Sequence, residues 1–190
     1  MYHPITKQEL QDIVDALLLN GTKDLNCIDV SKIENFTRLF KGKDITDVDI
    51  SNWDVSNGKE FCEMFMGCKD LTSDFSNWSL DSVEDASYMF LNCYKLNKPP
   101  KLPSMNLTAE CYTGMFCSCT SLTEAPDLPA LELKKWCYFN MFHGCTSLIK
   151  PPKISAKKLA TSCFDSMFAG CTALIKAPEL PVKTLKMSCY

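Results

Sequence analysis

The chain has no run of apolar residues approaching the ~18 that a membrane-spanning helix needs. Its 21 N-terminal residues, MYHPITKQELQDIVDALLLNG, lack a basic leader region, a clean apolar stretch and a small-residue cleavage site. A cytoplasmic protein is therefore expected; a signal removed upstream would instead place it on the surface or outside the cell. Glycine is scarce, at 7 residues, and no glycine-rich phosphate loop is present. Histidine is scarcer still. His3 lies in the N-terminal tail and His143 fills a variable slot, so neither fits a Ser-His-Asp or Cys-His set for acyl transfer. Residues 96–190 contain no arginine, and their aromatics fall mostly on an apolar stripe, which speaks against direct nucleic-acid binding. No enzymatic activity is expected.

What is present is ordinary in bulk and unusual in arrangement. At 46% hydrophobic and 23% charged, 190 residues suit one globular domain with a substantial core. Charge is segregated: residues 1–95 carry a net −8 and residues 96–190 a net +5. Such polarity bears on partners more than on fold.

The pair Met-Phe occurs at 64–65, 89–90, 115–116, 141–142 and 167–168, with Leu39-Phe40 as a weaker first copy, at steps of 25, 25, 26, 26 and 26 residues. Each Met-Phe is followed by Cys (Cys68, Cys93, Cys119, Cys145, Cys171) and then by Leu (Leu71, Leu96, Leu122, Leu148, Leu174). Early units use SNWDVSN and SNWSLDS, with Trp53 and Trp78 in register, and later units use phrases such as LPSMNLTAECYTGMF. Within a late unit Leu107, Cys111 and Met115 recur at i, i+4 and i+8, which predicts one face of a short helix. Ile33, Phe36, Phe40 and Val83, Ala86, Phe90 predict the same face in early units. The segments SLTEAP, SLIKPP and ALIKAP end in proline and read as short strands.

One helix and one strand per ~25 residues falls in the leucine-rich-repeat range. The expected fold class is α/β: a leucine-rich-repeat solenoid of six 24–26-residue units plus a half unit, with short parallel strands and short helices. Residues 1–26 form the N-terminal capping helix and linker, and 27–190 the solenoid, in a single domain overall. Thr6 and Glu9 make a capping-box pattern, Leu10, Ile13, Val14 and Leu17 an apolar stripe, and Asn20-Gly21 a stop. The half unit ELPVKTLKMSCY is expected to lid the last repeat, with a weak prospect of homodimerisation through that end.

The phrases NWDVSN…MF.GC..LT and LP…L…CY..MF.GCTSLT.AP.LP resemble the BspA-like leucine-rich-repeat proteins of bacteria, over about residues 27–190. The early dialect resembles the version abundant in mycoplasma surface proteins, and the late dialect that of gut anaerobes. The resemblance implies a right-handed β/α solenoid and a binding role; members are often secreted or surface-exposed adhesins that bind host proteins.

Candidate chemistry is sparse. Of 12 cysteines, only Cys117 and Cys119 are closely spaced, and without a Cys-x-x-Cys pair no zinc site is expected. Most cysteines obey the repeat and read as reduced core thiols; Cys117 breaks the pattern and is expected nearer the surface. DITDVDISNWD lacks the glycine and terminal glutamate of a calcium loop, so no metal or cofactor is expected. Around the late strands, charges fall in two rows: Lys98, Glu124, Lys150, Lys176 and Lys101, Asp127, Lys153, Glu179. In register on neighbouring strands, these side chains would stand ~4.8 Å apart as a ladder. Trp136 replaces Glu110, Ser162 and Ser188 at its repeat position, so it is expected to face outward as a contact anchor. Asp47, Asp49, Asp54 and Asp74 form an alternative acidic surface. The leading functional expectation is a module that binds a protein, with no direct nucleic-acid or membrane contact. Alternatives are a phage or mobile-element inhibitor of a bacterial defence or nucleic-acid-handling enzyme, and a surface-adhesin fragment.

Overall fold

A computed structural model describes residues 1–181. The half unit beyond Pro181, with its expected helix, lid and dimer contact, lies outside the described residues. Among the described residues one α-helix is present, α1 (Lys7–Leu19). Its N-terminus is closed by the expected capping box: Thr6 accepts from the Glu9 amide, and the Glu9 carboxylate accepts from the Thr6 amide. Leu10 and Val14 are fully buried against the first unit, and Gln11 donates to the Leu39 carbonyl at 3.3 Å. Lys43 pairs with Asp15 across the same junction.

Beyond α1, the expected solenoid of short helices and parallel strands does not form. Among the described residues no second helix occurs, and the strand pairing consists of isolated parallel bridges such as Asn35↔Glu60, Glu124↔Lys150 and Leu128↔Ile154. The predicted helices are runs of β-turns. In residues 36–43, the amides of Leu39, Lys41 and Lys43 donate three residues back, at 2.9–3.2 Å. The intervening amides of Phe36, Arg38, Phe40 and Gly42 donate to Glu60, Cys62, Met64 and Met66 of the following unit, at 2.7–3.0 Å. Three of the eight donors thus serve the turns and four the neighbour, while the Thr37 amide donates to the Asn35 side chain. An α-helix would spend them all within the segment.

The cause is a left-handed residue at every fourth position. Arg38 and Gly42 have φ of 61° and 68°, and this pair recurs as Glu63 with Gly67 and as Tyr88 with Asn92. Left-handed φ at the third position of a turn suits type II geometry and interrupts a right-handed helix. A four-residue turn repeat also places i, i+4 and i+8 on one side, which is the pattern that read as helical. A true helix would drift ~40° with each four-residue step.

Packing follows the repeat. Phe40, Phe65, Phe90, Phe116, Phe142 and Phe168 stack with centroids 5.2–5.7 Å apart and rings within 9° of parallel. Trp53 and Trp78 lie in the core, as their register predicts, with centroids 6.4 Å apart. Beside the Phe column runs a row of thiols: Cys68, Cys93, Cys119, Cys145 and Cys171 each donate to the carbonyl of the Phe one unit back, at 3.0–3.2 Å. Each Phe carbonyl already accepts an amide in its own turn, and the thiol takes its second lone pair. Cysteine combines the small volume and the weak donor that this position calls for.

Burial pushes the Cys68, Cys111 and Cys137 thiols up to about 12 and Cys171 to about 11, and it raises Cys93, Cys119 and Cys145 as well. Since the thiolate is the nucleophile, these groups are expected to be inert at neutral pH. In a disulfide-reagent titration, of the cysteines among the described residues the half-buried Cys27, Cys62 and Cys117 should react in the native protein, and the eight buried ones only on unfolding. Prompt native modification of all of them would show that the core is not closed.

Candidate functional site: a charged face and an aromatic cleft

The two charge rows stand on proline-rich corners that end each late unit. Lys98, Lys101, Glu124, Asp127, Lys150, Lys153, Lys176 and Glu179 are all exposed. A groove of about 550 Å³ is lined by Lys101, Glu124 and Asp127 over Pro99, Pro100, Pro103, Pro126 and Pro129. A second, of about 500 Å³, is lined by Asp127, Lys150, Lys153, Lys176 and Glu179 over Pro151, Pro152, Pro178 and Pro181. Asp127 lines both, so the two grooves adjoin. Proline supplies a rigid apolar floor and withholds its amide from any ladder.

The rows are partly self-neutralised. Lys150 donates to Glu124 at 2.9 Å, Lys176 to Glu179 at 3.3 Å, and Lys98 to Asp74 at 2.6 Å. The Asp127 carboxylate accepts the Lys153 backbone amide at 3.3 Å. The side chains of Lys101 and Lys153 make no ion pair among the described residues. Among the described residues they are the ladder cations left free.

Residues 9–128 match the model of a family described as Mycoplasma protein of unknown function, DUF285. The chain belongs to this family. No curated protein matches it. The part shared with the family holds most of α1, the Asp-rich early units and most of the first groove; the second groove lies almost wholly beyond it. No helix among the described residues is long and apolar enough to cross a membrane.

The alternative acidic surface is built differently from a contact face. Asp49, Asp54 and Asp74 each accept the amide two residues on, from Ser51, Ser56 and Ser76, at 2.9–3.1 Å. Asp44 does the same with Thr46, so the Asp-x-Ser/Thr phrases of the early units are Asx-turns. Asp47 stands instead at a left-handed corner, with φ 60°. No cluster of potential metal ligands occurs among the described residues. These hydrogen bonds favour the ionised form. The Ser56 and Ser51 bonds hold Asp54 and Asp49 below the usual carboxylate range, and the Lys98 bond, aided by Ser76, brings Asp74 to about 2.

A depressed folded-state value contributes stability above the unfolded value of ~3.9, and that contribution is lost as pH falls through the folded value. Denaturation midpoints should therefore hold from pH 7 to about 4 and decline from there toward pH 2. Asp74→Asn should flatten part of that decline. An Asp74→Asn profile that overlays the wild type would remove Asp74 from the acid transition.

Trp136 lies elsewhere. It is 38% exposed, at φ 59°, and its carbonyl accepts from Thr113 Oγ1 at 2.7 Å. With Tyr88, Glu110, Thr113, Phe139, Ser162 and Asp165 it lines a cleft of about 500 Å³ that shares no residue with either groove. The expected single site is thus two: a charged proline-floored face and an aromatic cleft. The outlier status of Trp136 in its column is legible in the sequence, whereas the part played by Tyr88, Phe139, Glu110 and Asp165 is not. A signal does exist: Thr113, Phe139 and Asp165 occupy one repeat position 26 residues apart, and only the middle unit places an aromatic there. Cys117 is half-buried, whereas Cys68, Cys93, Cys119, Cys145 and Cys171 are buried, so it does lie nearer the surface than they do.

Proposed function

We propose that this chain is a non-enzymatic module that binds another protein, and that the proline-floored charged face is its contact surface. One observation supports this above the rest. Two adjoining grooves of about 550 and 500 Å³ share a rigid apolar floor and a charge ladder in which two cations make no ion pair among the described residues. Apolar floors with polar rims favour protein contacts, and alternating rim charge sets register. The resemblance of residues 27–190 to BspA-like repeats supports the same reading and extends it past the residues matched by the family model. The partner is expected to present carboxylates to Lys101 and Lys153.

The test is comparative. Wild type and a Lys101→Glu/Lys153→Glu variant are used as bait, and proteins retained by the wild type alone are then measured by surface kinetics. Charge reversal should slow association about tenfold, with a slope that flattens as salt rises, and should leave dissociation little changed. Equal capture and equal association rates with a well-folded variant would move the contact surface off this face.

A further inference from the structure

The Trp136 cleft combines features that the proposed contact face does not. Three aromatic side chains, Tyr88, Trp136 and Phe139, line it together with two carboxylates, Glu110 and Asp165, and no lysine or arginine takes part. Neither carboxylate makes an ion pair among the described residues. The cleft therefore has a negative edge and electron-rich walls. Aromatic faces attract cations through their quadrupole, and the attraction strengthens when the cation is poorly hydrated. The Trp136 ring already shows the preference: the Lys135 ammonium sits 4.0 Å from its centroid. Lys135 does not line the cleft, so its ammonium lies outside the enclosed space.

The cleft is opened by the repeat itself. Tyr88 stands one unit before Gly114, and a Cβ at Gly114 would come within 2.6 Å of the Tyr88 ring. Glycine, at φ 57°, lets that ring lie against the backbone of the next unit. Trp136 and Phe139 come from the unit after that, three residues apart across one turn, where the Phe139 amide donates to the Trp136 carbonyl at 3.1 Å. Asp165 follows in the column of Phe139. Glu110 precedes in the column of Trp136. Burial raises the Tyr88 phenol, and the Glu110 charge adds to the shift.

We propose that this cleft binds an organic ammonium group bearing apolar substituents, seated against Trp136, Tyr88 and Phe139 and balanced by Glu110 and Asp165. A volume of about 500 Å³ admits such a head group with its attached chain. An anion would meet two carboxylates. A small metal ion would find aromatic walls where it needs oxygen ligands.

The probes are choline and its uncharged isostere, 3,3-dimethylbutan-1-ol, measured against the full chain by calorimetry and by the proton shifts of their methyl groups. Choline is expected to bind at least tenfold more tightly than the alcohol, with its methyl protons moved upfield by the ring currents. Trp136→Leu should weaken choline at least threefold and reduce that shift. Glu110→Gln, at an exposed position, should weaken choline at least threefold without loss of fold, and Lys101→Glu/Lys153→Glu should leave it unchanged. N-acetyl-trimethyllysine amide serves as a second probe; preference for it, or for choline, upholds the site and identifies the source of the ammonium. Equal affinity for the alcohol, a choline affinity and upfield shift both unchanged by Trp136→Leu, or no binding of either ammonium would overturn the proposal. The charged-face variant keeps this outcome separate from that of the contact-surface reading.

Discussion

Phe90→Ala is expected to destabilise the protein by about 3–5 kcal/mol, read from denaturant midpoints at constant slope. Phe90 is fully buried and touches three other rings: Phe65 at 5.2 Å, Phe116 at 5.6 Å and Phe75 edge-on at 5.1 Å. Truncation removes a link from the middle of the column, so rings on both sides lose a packed face. The Phe90 amide donates to the Met115 carbonyl and the Asn92 amide to that of Cys117, which limits collapse around the cavity. The Phe90 carbonyl also accepts the Cys119 thiol, and a shift of the backbone would strain that contact as well. A loss below about 1 kcal/mol would mean that the units do not share one continuous core.

Gly58→Ala should be the most costly single-methyl addition, at about 1–3 kcal/mol. A Cβ at Gly58 would lie 2.2 Å from the Phe61 ring and 3.0 Å from the Val55 carbonyl oxygen. The ring has nowhere to go: Phe61 is fully buried and stacked on Phe36 at 5.1 Å and 8°. Trimming the obstruction should relieve the clash, so Gly58→Ala/Phe61→Leu should lose less than the sum of its single changes. The thermodynamic cycle among the four proteins measures this coupling. Strict additivity would show that the added methyl is accommodated by backbone movement rather than opposed by the ring.

Much of this architecture is written plainly in the chain. The spacing of Met-Phe, Cys and Leu places the same side chain at the same point of every unit, and in-register stacking is the arrangement that buries all the copies at once. The Phe column, the thiol row and the Trp53–Trp78 pair were each legible for that reason. So was α1, because Thr6, Glu9 and Asn20-Gly21 act locally on their own backbone.

The conformation inside each unit was not legible. An apolar residue at every fourth position is satisfied by a helix and by a run of four-residue turns, and side-chain burial cannot tell them apart. The decision was made by amides that donate to the next unit, a contact 24–25 residues away that no local window contains. Arg38, Glu63 and Tyr88 hold left-handed φ that they would not favour alone, because those inter-unit bonds fix the backbone around them. The predicted strands shrank to single bridges for a related reason: prolines at the corners have no amide to extend a ladder. The sequence by itself determined which residues would be inside and which would line up. Only the tertiary structure decided that the charge rows and Trp136 belong to different sites, because neighbourhood across units depends on where each corner turns, and Gly114 leaves room for the Tyr88 ring that lines the cleft.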